Sequence, residues 1–267
     1  VSGYTKAFSK EYPESFVKVV DFDGSKSVDR IAHVLLDEVE RDPGALEIGY
    51  AEGRRYGITV VEEQDPTQEE LQTVKLGPDS VFVVTGAGGA ITSAITADLA
   101  KASKGTFYLL DLAPAPDANN PDLKRIATDR EGLKREIMSR LKGTADRVTP
   151  AMVEKELWKV ERDAATLQAI QSIERVGGKA IYHSCNVTDV PSIEAILAPV
   201  GKKHGRIDVI LHAAGVERSR PLEVKEPNEF NLIVDVKAVG IFGLLNATRK
   251  IPVGTVVCFS SVAGRFG

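Results

Sequence analysis

Val81-Phe82-Val83-Val84-Thr85-Gly86-Ala87-Gly88-Gly89-Ala90 is the stretch that decides how the chain is read. An apolar run ending in a glycine cluster reads as a buried strand, Ser80 to Val84, entering a tight turn. Residues from about Ala90 to Ala102 then read as a helix, and Thr106 to Leu112 as a second strand. Strand, glycine turn, helix is the context that a phosphate-cradling turn needs. The glycines let backbone approach a pyrophosphate, and the helix start offers free N–H groups and partial positive charge. A merely tight βα turn would use the same glycines, so both readings stand on this feature.

Outward from this stretch the alternation continues. Residues 180–185, 208–215 and 254–262 read as further strands with helices between them. The fold class predicted is α/β, a Rossmann-like doubly wound parallel sheet over residues 80–267. Residues 113–178 break the rhythm, because one helix would suffice there, and they predict a helical insertion. Residues 122–143 read as one charged helix. Thr149 and Pro150 cap a second that runs to Val176, with a seam of Val153, Leu157, Val160, Ala164 and Leu167. The insertion is expected to pack within the chain, with self-association or docking as the other reading. Residues 1–66 read as helix, strand, helix and two strands around a Gly-centred turn. They are too few for a doubly wound domain and resemble the second half of one. Residues 67–79, polar and with a proline, read as a linker carrying a short helix.

Composition narrows the function classes. With 34 Lys and Arg against 38 Asp and Glu, the net charge is −4, which argues against a nucleic-acid partner. No apolar run approaches the ~20 residues of a membrane span, so no membrane partner is expected. The start lacks the apolar core of a signal peptide, and Val1 in place of Met suggests a piece of a longer chain. Cys185 and Cys258 sit in apolar strand-like runs and read as buried hydrophobes in a reduced, cytoplasmic setting. No Cys or His pair has metal-ligand spacing, so no metal is expected.

Several residues could carry chemistry. Asp111 ends the second strand, where a carboxylate can accept both ribose hydroxyls of an adenosine and so favours NAD over NADP. A helix cap would also use it. No Arg follows, so a 2′-phosphate would meet a negative charge unless a distant base compensates. Asn186 and Val187 end the third strand and can meet an adenine edge, or form a plain turn. His212, Ala213, Ala214 and Gly215 end the fourth, small enough to let a cofactor or a helix lie close. Lys237 stands in an otherwise apolar helix, either solvated or entering a site, and Asp235 faces away from it. Ser260 and Ser261 end the fifth strand, where a hydroxyl can donate to a substrate carbonyl or simply close a turn.

In this order Thr85–Ala90, Leu109–Asp111, Cys185–Asp189, His212–Gly215, Val236–Gly240 and Phe259–Gly264 resemble the short-chain dehydrogenase/reductase family. More narrowly, the chain resembles the ketoreductase domain of type I polyketide and polyunsaturated-fatty-acid synthases. The His-Ala-Ala-Gly motif, Lys237 placed 24 residues before Ser261, and Phe259–Gly267 point there. Residues 1–66 resemble the carboxyl half of that group's truncated, cofactor-free structural subdomain. The resemblance implies NAD(P)H-dependent reduction of a β-ketoacyl thioester on the phosphopantetheine of an acyl carrier protein, within a multienzyme and with a homodimer in view. It implies NADP(H) as cofactor, while Asp111 keeps NAD(H) open. It implies cofactor binding by Thr85, Gly86, Gly88, Gly89, Ala90, Ile91, Asp111, Leu112, Asn186, Val187, His212, Ala213, Ala214 and Gly215. Ser261 and Lys237 would be catalytic. A non-catalytic structural or docking domain that keeps the fold is the alternative.

Four departures accompany the resemblance. Ala90 and Thr92 stand where Gly is usual. Asp111-Leu112 replaces the basic residue usual after the second strand. Glu217, Arg218 and Ser219 replace the Leu-Asp-Asp of one stereochemical class. The catalytic Tyr is expected about 13 residues after Ser261, past Gly267, and none of the six tyrosines present matches its motif.

Overall fold

The computed structural model describes residues 2–24, 27–63, 74–144 and 147–266. The chain divides into two compact units: residues 1–73 with 219–225 and 260–267, and residues 74–218 with 226–259.

The first unit contains α1 (Ser2–Glu11), β1 (Val19–Phe22), α2 (Val28–Glu40), β2 (Glu47–Ala51) and β3 (Arg54–Gly57). β1 and β2 pair in parallel, and β2 and β3 form a hairpin. Glu52 and Gly53 turn that hairpin with φ of 50° and 76°, the paired positive values a two-residue turn needs. Ile31, Val34, Leu35 and Val39 form an apolar stripe along α2 that is only partly used. Val34 is buried, whereas Leu35 and Val39 are exposed. The other buried residue of α2 is Glu38, 1% exposed, whose carboxylate takes Lys18 Nζ (3.0 Å), Arg55 Nε (2.6 Å) and the Tyr50 hydroxyl (2.5 Å). The Arg55 guanidinium, foremost, holds this carboxyl far below the usual carboxylate range against the opposing effect of burial. A buried ion cluster therefore fills the place that periodicity assigns to leucine and valine.

The second unit contains β4 (Val81–Thr85), α3 (Ala90–Ser103), β5 (Thr106–Asp111), α4 (Pro121–Arg125), α5 (Arg130–Lys142), α6 (Pro150–Arg175), β6 (Lys179–Ser184), α7 (Val190–His204), β7 (Ile207–His212), α8 (Pro227–Val234), a π turn (Asp235–Val239), α9 (Gly240–Ala247) and β8 (Val253–Cys258). The five strands are parallel in the order β6-β5-β4-β7-β8. Numbered within this unit the order is 3-2-1-4-5, that of a doubly wound sheet. Alternation along β4 separates its two faces. Val81 and Val83 pack with Ile193 and Leu197 of α7 and Leu244 of α9. Phe82 and Val84 pack with Ala100 of α3 and Ile173 of α6, and Phe82 stacks on Phe107 at 4.2 Å. All five β4 residues are buried, as expected of a strand covered on both sides.

The structure corrects several expectations. Residues 74–79 pack with the second unit, where Leu76 lies on its core and Gly77 and Ser80 bond each other. Of the expected linker helix, residues 64–73 lie outside the described residues. Residues 122–143 form two helices: α4 ends at Arg125, a turn follows, and Asp129 caps α5 through the Gly132 N–H at 2.8 Å. The inserted part is shorter than 113–178, since the second half of α6 is the ordinary crossover helix of the sheet. Cys185 is buried, but Cys258, at the end of β8, is exposed. Finally, Pro227–Ala247 forms a continuous helix of 21 residues, long and apolar enough to span a membrane by length and composition. Counting unbroken apolar runs misses it, because Asn231, Asp235 and Lys237 interrupt the sequence. Here Gly240, Gly243 and Leu244 bury one side of it in the second unit.

α6 shows the local logic most clearly. At 100° per residue, Val153, Leu157 and Val160 share one side and Thr166, Ala169 and Ile173 the opposite side. The first set packs with Leu133 and Ile137 of α5, and Ile173 joins the sheet core. The first three members of the expected seam, Val153, Leu157 and Val160, thus pack within the chain.

Candidate active site

A cleft of about 610 Å³ opens at the carboxyl ends of the strands. It lies where strand order reverses, because the connections after β4 and β7 leave to opposite faces of the sheet. Gly86 and Gly88 to Ala90 form one wall, Asp111 and Leu112 another, and Cys185 to Val187 a third. Ala213 to Glu217, Val236 and the α6 residues Trp158, Glu161, Arg162 and Ala165 complete it. The volume falls within the range of small-molecule sites.

The glycines act in different ways. Gly86 has φ of 68°, and a Cβ there would stand 2.8 Å from both Ala213 O and Ala214 N. At Gly88 a Cβ would stand 2.5 Å from Thr166 Oγ1 on α6, so this glycine sets how closely helix and turn approach. Gly89 caps the 14-residue α3 without a side chain, leaving the first-turn N–H groups to an anion. Thr92, where Gly was the expectation, is buried beneath the turn and does not line the cleft. Ala90 lines it, whereas Ile91 is exposed outside it.

Thr85 and His212 stand behind the cleft, not in its lining. Both are buried, and their polar groups are used internally. His212 Nε2 lies 3.0 Å from Lys237 O and Nδ1 2.9 Å from Thr85 Oγ1. A carbonyl can only accept, so Nε2 carries the proton and Nδ1 accepts from the Thr85 hydroxyl. That hydroxyl in turn accepts the Ala214 N–H at 3.1 Å. Burial lowers the His212 pKa, keeping the ring neutral as this bonding requires. Their contribution is to fix Ala214 at the cleft and to tie β7 to the helix that carries Lys237. The helix approaches so closely that a Cβ on Gly240 would stand 2.9 Å from His212 Cε1. Lys237 itself sits in the π turn, a local widening that is often found at functional positions. Its Cε lies 3.2 Å from where a Gly215 Cβ would be, placing its stem along the Ala213–Gly215 wall.

Asp111 is 5% exposed and already holds protein donors. Its carboxylate accepts the Gly88 N–H (3.0 Å), the Ala113 N–H (3.3 Å) and the Arg162 guanidinium. The distant base that could compensate this acid is therefore Arg162, on α6. Asn186 uses its side-chain oxygen to accept the N–H and hydroxyl of Thr188 (3.1 and 2.9 Å), an Asx turn that leaves its amide N–H groups to the cleft. Val187 lines the cleft beside it, and burial raises the Cys185 thiol pKa. Ser261 follows β8, is exposed, accepts the Ala263 N–H at 3.1 Å and is counted with the first unit. Trp158, Glu161, Arg162 and Thr166 were missed by sequence reasoning. Arg162, Thr166, Ala169 and Ile173, spaced four, three and four, form a second stripe opposite the heptad seam, and that stripe was the available signal. Among the described residues no group of His, Cys, Asp or Glu could hold a metal.

The family model described as KR domain matches residues 80–267. The chain belongs to the KR domain family. Among curated proteins, a polyunsaturated fatty acid synthase polypeptide of Thraustochytrium is 29% identical over 212 residues, 74% of this chain and 8% of that protein. A 3-oxoacyl-[acyl-carrier-protein] reductase of Thermotoga maritima is 28% identical over 102 residues, 37% of this chain and 42% of the relative. The chain thus spans less than half the length of either. A solved structure of A-type ketoreductases from a modular polyketide synthase covers 99% of this KR chain at a TM-score of 0.72 and 15% identity, with 46% of that structure matched. At such identity the likeness shows a shared Rossmann-like fold. It covers more of the chain than the part that the family model matches.

Proposed function

We propose that this KR domain binds NAD(P)H in the cleft at the ends of β4–β7 and reduces a β-ketoacyl thioester to the β-hydroxyacyl thioester. The thioester is carried on the phosphopantetheine of an acyl carrier protein, and the domain works within a polyketide or polyunsaturated-fatty-acid multienzyme. The observation that carries the reading is the glycine turn between β4 and α3. Its uncapped helix start lines the same cleft as Asp111 and Asn186. These features fit a dinucleotide: backbone N–H groups for the pyrophosphate, polar ends for the adenosine, and small Ala213–Gly215 where a flat ring must lie.

When bound, NAD(P)H supplies the hydride. The chain's own residues bind and orient it and manage charge and proton. Ser261 would donate its hydroxyl to the ketone oxygen and stabilise negative charge as the carbonyl bond opens. Lys237, with its ammonium near the Gly215 wall, would lower the pKa of the phenol that protonates that oxygen. His212 and Thr85 position the Lys237 helix and the Ala214 backbone without touching substrate. Residues 1–66 are assigned the role of a structural subdomain that holds no cofactor. Reduction of an acetoacetyl thioester by the full-length protein that carries this sequence, followed by loss of reduced-nicotinamide absorbance, tests the proposal. Turnover that falls at least ~100-fold in Lys237→Ala supports it. Absence of turnover on β-ketoacyl thioesters rejects it in favour of a structural domain.

A further inference from the structure

α6 continues past the edge of the sheet, and this gives the stripe Ile173–Ala169–Thr166–Arg162 a graded set of tasks. Ile173 is in the core and Thr166 lies against Gly88. One turn further out, Arg162 reaches Asp111 at the cleft. The inserted α5 braces this overhang through Leu133, Ile137, Val153 and Leu157, all buried. Arg162 also lies over the Trp158 ring, 5.4 Å from its centroid, and both line the cleft beside Leu112. Glu161, the acid next to Arg162 on this stretch of cleft wall, bonds Arg130 at 2.7 Å.

Charge and hydrogen bonding at Asp111 then decide which adenosine fits. A free carboxylate there would take two ribose hydroxyls and repel a phosphate. This one is buried, neutralised by Arg162, and has most of its lone pairs taken by Gly88, Ala113 and Arg162. Beside Asp111 it is the Arg162 guanidinium that lines the cleft, and its planar fork suits phosphate.

Resting on the reading of the cleft as a dinucleotide site, we propose that Arg162 binds the 2′-phosphate of NADPH. The inserted α4–α5 brace would then serve to hold this overhanging turn of α6, with Trp158, against the adenosine. Cofactor selectivity would come from the insertion, not from the residues after β5.

Trp158 is the one tryptophan in the chain, so its fluorescence reports this cleft directly. The chain is titrated with NADPH, NADH, 2′,5′-ADP and 5′-AMP, with calorimetry in parallel. The 2′-phosphorylated ligands are expected to bind at least ~30-fold tighter than their counterparts and to quench Trp158. Arg162→Ala is expected to weaken NADPH and 2′,5′-ADP ~30- to 100-fold while leaving NADH within ~3-fold, with Arg162→Lys intermediate. Retained NADH binding shows that the variant is folded. NADH binding as tight as NADPH, or equal weakening of both by Arg162→Ala, overturns the inference and leaves the dinucleotide reading intact. Binding of neither dinucleotide overturns both.

Discussion

At the scale of single residues, the site is set by where a Cβ can stand. A Cβ on Gly86 would meet only backbone, so no neighbouring substitution can make room for it. At Gly88 the nearest atom is the Thr166 hydroxyl, a side-chain atom that can be removed. Gly88→Ala is therefore expected to cost about 1–3 kcal/mol and to weaken dinucleotide binding. Gly88→Ala with Thr166→Ala should recover most of both losses, whereas Gly86→Ala with the same partner should not; a double-mutant cycle read by thermal melting and by dinucleotide titration checks this. Glu38 gives a pH prediction. Its folded pKa lies below its ordinary 4.5, so its stabilising contribution is present above pH ~4.5 and is lost as pH falls towards the folded value. Glu38→Gln should cost about 3 kcal/mol in hydrogen-exchange stability of β1–β3 at neutral pH, and the gap to the parent chain should narrow steadily below pH ~4.5. The glycine turn was legible in the sequence because local conformation demands glycine there. Glu38 was not, because its partners Lys18, Tyr50 and Arg55 come from three separate segments, and an isolated acid on an apolar stripe reads as solvated.

At the scale of elements, α6 and the Lys237 helix explain what pattern reading captures and what it misses. The start of α6 at Thr149-Pro150 was legible, since an N-cap and a first-turn proline are local signals. The heptad seam was legible as a packing face, but it concealed that the same helix buries its opposite face a few turns later. A helix gripped on two sides has no single periodicity, so Arg162 was hidden on what a heptad reads as the outer face. The brace predicts that Leu157→Ala costs about 2–4 kcal/mol, lost first as hydrogen-exchange protection in α4, α5 and the first half of α6, with the sheet retained. Uniform loss across α3, β4 and β5 would contradict it. In the other helix the π turn could not be read from apolar spacing, whereas the small residues around it could. His212→Phe leaves the Thr85 hydroxyl and the Lys237 carbonyl without their partner. It should cost about 2–4 kcal/mol and lower turnover more than dinucleotide affinity, because it displaces Lys237 and leaves the glycine turn in place.

At the scale of the whole molecule, the alternation of strand and helix from Val81 onward, with one glycine cluster at its head, was enough to predict a parallel doubly wound sheet. The structure places its strands in the order that puts a crevice between β4 and β7. Strand order follows from right-handed crossovers and buried faces, so it needs little sequence detail. Legible less well were the distant pairings that finish the site: Arg162 with Asp111 across 51 positions, and Thr85 with His212 across 127. Such pairs are chosen by the fold, not by neighbours in sequence. The central claim is that this crevice is a dinucleotide site built on the Gly86–Gly89 turn. Calorimetric titration of the chain with NADPH tests it most directly. The account predicts one site per chain with a micromolar or tighter Kd, weakened at least ~10-fold by Gly86→Ala. The absence of saturable binding, or binding that Gly86→Ala leaves unchanged, would contradict it.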